Sequence, residues 1–561
     1  MATLLTLHDP KLARRFYAEG SWREDTLYAL AARHAAQRPE AYALRDANHR
    51  LTWSALVHWV DGVAAALVAS GLRRGDRVSL WLPNRVEAVI SFLACSRAGL
   101  VCNPSLHQNY TVAEVATLLT RIRARGFIGL SGYGADARAA DVFGLTSGLA
   151  AVFDLNGTAA TPFPASGADA TLEITSGADA ALEISGTGYA PPSDDADQPV
   201  YLAFTSGTTG LPKGVLHSDN TLLANGRALV ADWGHGHGDV VLSLSPMSHH
   251  IGTVALAQAM AAGMELVVND GSNGLNGLDW ILESRATYVM GVPTHAMDIQ
   301  AQMARRGLDR LGEVRTFYMA GSPIPRAVAR AFLNRGVTPQ NVYGMSENSS
   351  HQYTRPDDDV ETIIGTCGRA CAGYEVAIFD ADNPDMPAPV GGAGEIGSRG
   401  ACLMLGYFGD QEATERSFNR DGWFLSGDLG RLDAQGGLEI IGRKKDLIIR
   451  GGHNIHPARI EDLAMRNPAI ARAAAFAVAD DRLGEKVCLA VIPAEDTDLD
   501  AMSVLGHLAA QGLSKYDMPE YLAVLDAFPL TASGKVLKRE LVVWARDGHI
   551  RPVPVRWKEP A

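Results

Sequence analysis

Cysteine is sparse in this sequence: there are six residues in 561, and they are scattered along the chain. Six scattered cysteines do not make a disulfide framework at this length, and such usage fits a reducing compartment. Cys367 and Cys371 are the closest pair, but no second pair or nearby histidine spacing completes a zinc set. The sequence therefore predicts neither a disulfide-stapled fold nor a structural metal.

Long apolar runs are also missing, as is an excess of positive charge. No stretch of about eighteen apolar residues occurs, so a membrane-spanning helix is not expected. The opening residues place Asp9, Lys11, Arg14 and Arg15 after only a short apolar run, unlike a secretory signal. Lysine and arginine total 50 against 63 acidic residues, and the net charge of −13 argues against nucleic acid as the main partner. A soluble cytoplasmic protein is expected.

The order of apolar segments indicates the fold class. A chain of 561 residues is long enough for several structural units. RVSLWLPN is typical of a buried strand, and EAVISFLACSRAGL is typical of the helix after it. This alternation recurs up to residue 345, so it predicts an α/β region of layered sheets and helices with parallel strands.

The character of the sequence changes beyond residue 420. GWFLSGDLGRLDAQGGLEIIGR predicts two strands joined by a turn at Gly436 and Gly437. After Arg443 a basic tract precedes a smaller set of alternating strands and helices. We therefore predict a large N-terminal domain at 1–443 and a small C-terminal α+β domain at 446–561, joined near Lys445.

Residues 154–199 interrupt the alternation. SGADATLEI is nearly repeated as SGADAALEI ten residues later, and this period is seen only twice. Two copies are too few for a solenoid, which needs at least three repeats. We interpret the segment as a surface excursion between subdomains and assign it no function.

The strongest chemical signal is the segment Tyr201–Gly214, YLAFTSGTTGLPKG. An apolar strand runs into a loop of small residues whose glycines allow a ligand to approach the backbone closely. Such a loop can wrap the oxygens of a polyphosphate. Its candidate phosphate ligands are Thr205, Ser206, Gly207, Thr208, Thr209 and Lys213. The spacing does not fit GxxxxGK[ST], so a standard P-loop NTPase is not supported.

At this loop the chain resembles the superfamily of acyl-CoA synthetases, peptide-synthetase adenylation domains and luciferases. TSGTTGLPKG is close to the signature of that family, and further matches follow in the family's order. They are PMSHHIG at 246–252, AGSPIP at 320–325, YGMSEN at 343–348, GWFLSGDLGRLD at 422–433, GRKKDLIIRGGHNI at 442–455 and LTASGKVLKREL at 530–541. The resemblance implies a large N-terminal domain covered by a small mobile C-terminal lid.

The resemblance also implies roles for individual residues. It places Tyr343 against adenine, Glu347 at a magnesium ion, and Asp428 at both ribose hydroxyls, which suits a carboxylate because its oxygens only accept hydrogen bonds. Arg443 matches a second ribose or phosphate contact, and His249 a position at the mouth of the acyl pocket. The other nucleotide-binding positions that it implies are Gly321, Ser322, Pro323, Gly344 and Ser346.

Lys535, in TASGKVLK, matches the lysine that the family uses in adenylation. A cation between the substrate carboxylate and the α-phosphate of ATP would offset their mutual repulsion. Lys445 stands at the family's hinge position, and Gly452 where the pantetheine arm of coenzyme A passes. Rotation of the small domain about the hinge would withdraw Lys535 and present the 450–454 loop instead.

The predicted activity is an ATP-dependent carboxylic acid–CoA ligase that acts in two steps through acyl-AMP, with Mg²⁺ as cofactor. An acyl-AMP ligase that loads a carrier protein, a luciferase-like oxygenase and a nucleotide-binding protein without catalysis remain alternatives. The helix after Ile251 is small and apolar, which favours a medium-chain, alicyclic or aryl acid. The oligomeric state stays open, with a homodimer among the options.

Overall fold

The computed structural model describes residues 9–157, 160–165, 191–205, 212–322, 324–494, 497, 499–530 and 536–557. These residues form four β-sheets and sixteen α-helices. None of the helices in the described ranges is long and apolar enough to cross a membrane.

The helices begin and end as follows. In chain order they are α1 Pro10–Ala18, α2 Leu27–Gln37, α3 Trp53–Ala69, α4 Val86–Ala98, α5 Val112–Arg121, α6 Val142–Thr146, α7 Asp219–Trp233, α8 His250–Ala262, α9 Gly277–Ser284, α10 Pro293–Arg305, α11 Arg326–Leu333, α12 Val360–Gly365, α13 Gln411–Arg416, α14 Pro457–Ala464, α15 Ala501–Ala510 and α16 Lys538–Arg546. Many begin at a side chain that accepts a backbone N–H of the first turn, as Thr111 and Ser218 do for α5 and α7.

The strands are mostly short. In chain order they are β1 Tyr42–Arg45, β2 Arg50–Thr52, β3 Arg77–Trp81, β4 Val101–Asn103, β5 Gly126–Gly129, β6 Ala151–Asp154, β7 Thr161–Pro162, β8 Pro199–Thr205, β9 Lys213–Ser218, β10 Val240–Ser243, β11 Glu265–Val268, β12 Tyr288–Gly291, β13 Thr316–Ala320, β14 Thr338–Met345, β15 Ser349–Tyr353, β16 Arg369–Ala370, β17 Tyr374–Phe379, β18 Gly394–Gly400, β19 Gly406–Tyr407, β20 Phe424–Leu432, β21 Leu438–Arg443, β22 Ile448–Arg450, β23 His453–Ile455, β24 Ile470–Asp480, β25 Gly484–Pro493, β26 Tyr521–Val524 and β27 Val553–Pro554.

Two large sheets confirm the predicted α/β layering. The first has the order β16-β15-β14-β13-β12-β10-β11-β1-β2, and its strands from β14 to β1 are parallel neighbours. The second has the order β19-β9-β8-β4-β3-β5-β6-β7. In it β9 is antiparallel to its neighbours β8 and β19, and the other neighbouring strands, from β8 to β7, are parallel. The parallel strands are buried on both faces, which explains their continuous apolar runs.

The helix α8 lies between these two sheets. Every residue from His250 to Met260 is buried, so this helix has no solvent face. Its side chains share one core with Tyr201 of the second sheet and Tyr288 of the first. The small residues that the sequence places in α8 therefore serve close packing between sheets.

The remaining two sheets come from the last third of the chain. One has the order β17-β18-β20-β21, and the turn between β20 and β21 is at Gly436, as predicted. The other comprises β22 to β27, and its apolar side chains form their own cores with α14, α15 and α16. The domain boundary near Lys445 stays a prediction. Of the 154–199 segment, residues 158–159 and 166–190 lie outside the described residues.

Candidate active site

The centre of the site is the tight turn between β14 and β15, which carries YGMSEN. Its backbone leaves no room for a side chain at Gly344, because a Cβ there would lie 1.8 Å from the Ser349 carbonyl oxygen. The Asn348 side chain accepts from the Met345 N–H at 3.0 Å and closes the turn. The sequence therefore places Glu347 at the apex of a narrow, hydrogen-bonded hairpin.

A carboxylate with two partners lies on one side of this turn. Asp428 of β20 faces Arg443 of β21 directly across the strand pair, and the Arg443 Nε lies 3.0 Å from Asp428 Oδ1. The Tyr343 hydroxyl donates to Asp428 Oδ2 at 3.0 Å. Burial and the Asp428 charge raise the pKa of Tyr343, so the phenol keeps the proton that it donates. The Asp428 charge also raises the pKa of Arg443.

The phosphate-loop lysine lies on the other side of the turn. Thr205 and Lys213 pair across β8 and β9, so both ends of the loop leave the second sheet at one place. Lys213 Nζ lies 4.4 Å from the centre of the Tyr407 ring, and the Tyr407 hydroxyl donates to Glu347 Oε1 at 2.9 Å. Burial raises the pKa of Glu347, while the Tyr407 hydrogen bond and the Lys213 charge act against that rise.

The two groups of side chains meet at Glu347. The positive charge of Lys213 and the negative charge of Asp428 both act on its carboxyl group. One end of the site is thus a paired carboxylate beside an aromatic ring, and the other is a lysine and a loop suited to phosphate. The predicted residues Tyr343, Glu347 and Asp428 are brought together.

Other predicted residues lie on neighbouring elements. Half-buried His249 precedes α8, and its Nδ1 accepts the Ile251 N–H at 3.4 Å as the helix N-cap. Gly321 and Ser322 follow the carboxyl end of β13, beside the end of β14 that leads into the turn. The Ser346 carbonyl oxygen accepts a hydrogen bond from His217 at 2.7 Å.

Six of the predicted site residues lie outside the described residues. They are Ser206, Gly207, Thr208, Thr209, Pro323 and Lys535. Their roles stay predictions from the sequence.

The hinge and the coenzyme A position lie at the start of the last sheet. Lys445 is exposed in a short 3-10 helix, Lys444–Asp446, and the preceding Lys444 is bonded to Glu395 Oε2 at 3.1 Å. Gly452 is exposed at the turn between β22 and β23, where an added Cβ would meet nothing within 4 Å.

Sequence reasoning missed three side chains that complete the site. Tyr407 contacts both Lys213 and Glu347, yet its segment LMLGYF carries no local signal, since contacts with distant elements bring it near. β19 pairs with β9, and the Met404 N–H donates to the Glu347 carbonyl oxygen at 2.7 Å. His217 and His250 lie beneath the turn and bond to it. Each histidine lies in an apolar segment beside a motif, and a histidine in such a segment carries no local signal of a role in the site.

Comparison with known proteins places this geometry in a family. Residues 31–408 match the model of the AMP-binding enzyme family, and residues 459–535 match that of the AMP-binding enzyme C-terminal domain. The medium-chain fatty-acid–CoA ligase of Escherichia coli is 30% identical over 96% of this chain and 93% of its own length.

Two further proteins are also similar to this chain over most of its length. The 3-[(3aS,4S,7aS)-7a-methyl-1,5-dioxo-octahydro-1H-inden-4-yl]propanoyl:CoA ligase of Mycobacterium tuberculosis is 32% identical over 92% of this chain and 98% of its own. The ATP-bound crystal structure of MatB from Rhodopseudomonas palustris superposes with a TM-score of 0.78 at 28% identity, covering 94% of this chain and 100% of that one. Because the family model matches most of the chain and the two ligases are at least 30% identical to it over nearly its whole length, the chain belongs to the AMP-binding enzyme family.

Proposed function

We propose that this protein is an AMP-forming acid–CoA ligase whose substrate is a medium-chain, alicyclic or aryl carboxylic acid. ATP and coenzyme A are its other substrates. The observation that carries the proposal is the meeting of two groups of side chains at Glu347: Asp428 and Tyr343 on one side, Lys213 and Tyr407 on the other. The relatives from Escherichia coli and Mycobacterium tuberculosis are named as acid–CoA ligases, and they do not favour carrier-protein loading or a luciferase-type oxygenation.

The carboxylate of Asp428 is suited to the ribose of ATP. One of its oxygens is bonded to Arg443 and the other accepts from Tyr343, and a carboxylate can accept several hydrogen bonds at once, as two ribose hydroxyls would require. Because both partners hold the carboxylate in place, little freedom is lost when the nucleotide binds. The Tyr343 ring supplies an apolar surface for adenine.

The phosphates would extend from there toward Thr205 and Lys213. Glu347 fits a magnesium ion, because a carboxylate oxygen is a hard ligand and Mg²⁺ is commonly held by one or two carboxylates together with substrate phosphates. When bound, the ion would offset the charge of the phosphate oxygens.

The chemistry needs charge stabilisation and positioning more than a nucleophilic side chain. In the first step a substrate carboxylate oxygen attacks the α-phosphorus, the bond to the bridging oxygen breaks, and pyrophosphate leaves. Lys535 would offset the repulsion between the carboxylate and the phosphate. In the second step the thiolate of coenzyme A attacks the acyl carbon, and AMP leaves with the electron pair of the broken C–O bond.

The acid is assigned from the composition of α8 and from the relatives. Apart from Thr253 and Gln258, the side chains of the helix after Ile251 are small or apolar, and they pack in the core between the sheets. An uncharged acyl chain or ring is compatible with such a surface, whereas a second charge would be costly to bury. Medium-chain and alicyclic acids appear in the names of the two relatives described above. The cytoplasmic location and a homodimer stay predictions.

Pyrophosphate release from MgATP, measured across a panel of carboxylic acids with and without coenzyme A, tests this function. We expect acid-dependent release with C6–C12, alicyclic or aryl acids, and acyl-CoA only when coenzyme A is present. Acyl-AMP that forms and does not react with coenzyme A would contradict the ligase. A clear preference for acetate or an amino acid would contradict the proposed acid.

A further inference from the structure

Two buried imidazole rings lie beneath the turn that carries Glu347. His217 belongs to β9 of the second sheet and His250 to the first turn of α8. Their rings are stacked with centroids 5.5 Å apart and an interplanar angle of 27°. Two histidines from different elements therefore form one rigid layer under the turn.

His217 is bonded to the turn through its backbone. Because a carbonyl oxygen only accepts, Nε2 carries the proton and donates to the Ser346 carbonyl at 2.7 Å. The other nitrogen, Nδ1, then accepts from the Thr221 hydroxyl at 3.0 Å. The ring is neutral, since burial lowers the pKa of His217 to about 4. Both nitrogens are used, and the tautomer is set by the turn.

His250 holds the far end of the same turn. Its Nε2 lies 3.0 Å from Ser349 Oγ, and its Nδ1 lies 3.1 Å from the Tyr201 hydroxyl. In a neutral ring one nitrogen donates and the other accepts, so both bonds form together. The residues on either side of Glu347–Asn348, namely Ser346 and Ser349, are thus each tied to one imidazole.

The turn needs this support because its backbone is strained. Ser349 has φ of +53°, a left-handed conformation that costs a non-glycine residue free energy and persists only where the surroundings hold it. Ser349 is also the residue whose carbonyl oxygen approaches Gly344. A strained turn that is tied at both ends holds its apex in one place.

We propose that His217 and His250 are positioning residues that set the place of the Glu347 carboxylate for MgATP, acting through the turn 346–349. This rests on the proposed role of Glu347 in that site. The pair contributes to nucleotide binding and adenylation and has no part in the attack of coenzyme A on acyl-AMP.

The test compares His217→Leu, which removes the donor, with His217→Gln, whose amide nitrogen can reach the Nε2 position. The dissociation constant of MgATP is measured by calorimetry without acid, alongside pyrophosphate release. We expect His217→Leu to weaken MgATP about tenfold, as for the loss of one well-placed hydrogen bond. His217→Gln should restore most of that affinity, and conversion of supplied acyl-AMP with coenzyme A should stay near wild type. His250→Leu should behave as His217→Leu does.

A double-mutant cycle decides whether the effect passes through Glu347. In a Glu347→Gln background, His217→Leu should weaken MgATP less than twofold further, because the residue that it positions no longer carries its charge. A full tenfold effect in that background would overturn the proposal. Should His217→Leu not fold, His217→Asn replaces it: its amide reaches only the Nδ1 position, and equal affinity for the Asn and Gln variants would overturn the proposal.

His34 supplies the matched control. Its Nε2 bonds to the Met260 carbonyl at 2.8 Å, and burial lowers its pKa as it does for His217, but it belongs to α2. His34→Leu is expected to lower stability and to leave MgATP affinity within twofold of wild type. Equal weakening of MgATP binding by both variants would mean that a general loss of packing is the cause. If wild type binds MgATP but releases no pyrophosphate with any acid, the proposed function fails while the binding cycle still decides the role of the histidines.

Discussion

At the scale of the residue, Asp428 depends on partners that are fifteen and eighty-five positions away. Arg443 is opposite Asp428 on the next strand, whereas Tyr343, whose hydroxyl donates to Asp428, comes from a different sheet. The carboxylate is buried, and a buried charge is tolerated only where it is paired and hydrogen-bonded. The same two partners, Arg443 and Tyr343, would hold the carboxylate in place for the two ribose hydroxyls that we propose it binds.

Asp428→Asn should weaken the binding of MgATP. The amide keeps the shape, but its NH₂ group cannot accept, so one ribose hydroxyl loses its acceptor and Arg443 loses its ion pair. A lost hydrogen bond to a charged group is worth about 1.5–3 kcal/mol, so we expect KM for ATP to rise by about tenfold to a hundredfold. Steady-state pyrophosphate release at varied MgATP concentration measures this KM.

The control for this substitution lies on the turn that joins the same two strands. Asp433 Oδ1 accepts from the N–H groups of Gly437 and Gln435 at 2.7 and 2.9 Å, away from the nucleotide. Asp433→Asn should leave KM for ATP within twofold of wild type. A similar rise in both variants would argue that Asp428 acts only by holding β20 and β21 together.

At the scale of the element, the hairpin of β14 and β15 is shaped by one glycine. The register of the pair shifts between Tyr343 and Met345, where the chain narrows into the turn. The sequence motif YGMSEN contains Gly344, but the need for it comes from a carbonyl five residues later in the chain.

Gly344→Ala should disrupt this turn. Its Cβ would lie 1.8 Å from the Ser349 carbonyl oxygen, so the hairpin must open, at a cost of about 3 kcal/mol by analogy with overpacked cores. We expect a lower apparent Tm and MgATP affinity reduced at least about tenfold, because Glu347 moves with the turn. Thermal unfolding and calorimetry measure the two effects.

Gly62→Ala is the matched control for that glycine. Gly62 lies within α3, and an added Cβ there meets nothing within 4 Å. Alanine is more favourable than glycine in a helix interior by about 0.5–1 kcal/mol, so the apparent Tm should stay the same or rise. An unchanged Tm and MgATP affinity in Gly344→Ala would show that the turn is looser than described.

At the scale of the whole molecule, a short segment joins the last sheet to the rest of the chain. After β21 the chain passes through Lys444–Asp446 into β22, and α14 packs near β21. Arg472 on β24 lies 3.8 Å from Asp298 on α10, a distance at which a solvent-accessible ion pair contributes little. Such a connection is compatible with the rotation about Lys445 that the family resemblance implies.

Lys445→Pro should separate the two half-reactions. Proline restricts φ to about −65° and removes the backbone donor, so the segment can no longer adopt two conformations. We expect one half-reaction to stay near wild type and the other to fall at least about tenfold. Acyl-AMP formation and the conversion of supplied acyl-AMP are assayed separately.

Lys445→Ala distinguishes the backbone from the side chain. It removes the exposed ammonium group and leaves φ free, so both half-reactions should remain within twofold of wild type. Equal losses in both half-reactions of the proline variant, with an unchanged apparent Tm, would count against rotation about this residue.

Much of the fold followed from local pattern. Apolar alternation predicted the strand β3 with its helix α4, and the two strands joined at Gly436, all of which the structure contains. These predictions succeed because each element's own side chains must be buried on the face that the period defines. The family, too, followed from contiguous motifs, and the comparisons confirm it.

The contacts within the site required the assembled molecule. Tyr407 reaches Glu347 because β19 pairs with β9, and the His217–His250 stack exists because α8 is enclosed between two sheets. Neither arrangement can be predicted from the neighbouring residues in the sequence, since each depends on which distant strands pair and how closely the layers pack. Motifs in the chain therefore predicted the carboxylates and the lysine of the site, whereas sheet pairing and packing between layers decided which hydroxyls bond to the carboxylates and which imidazoles bond to the turn that carries Glu347.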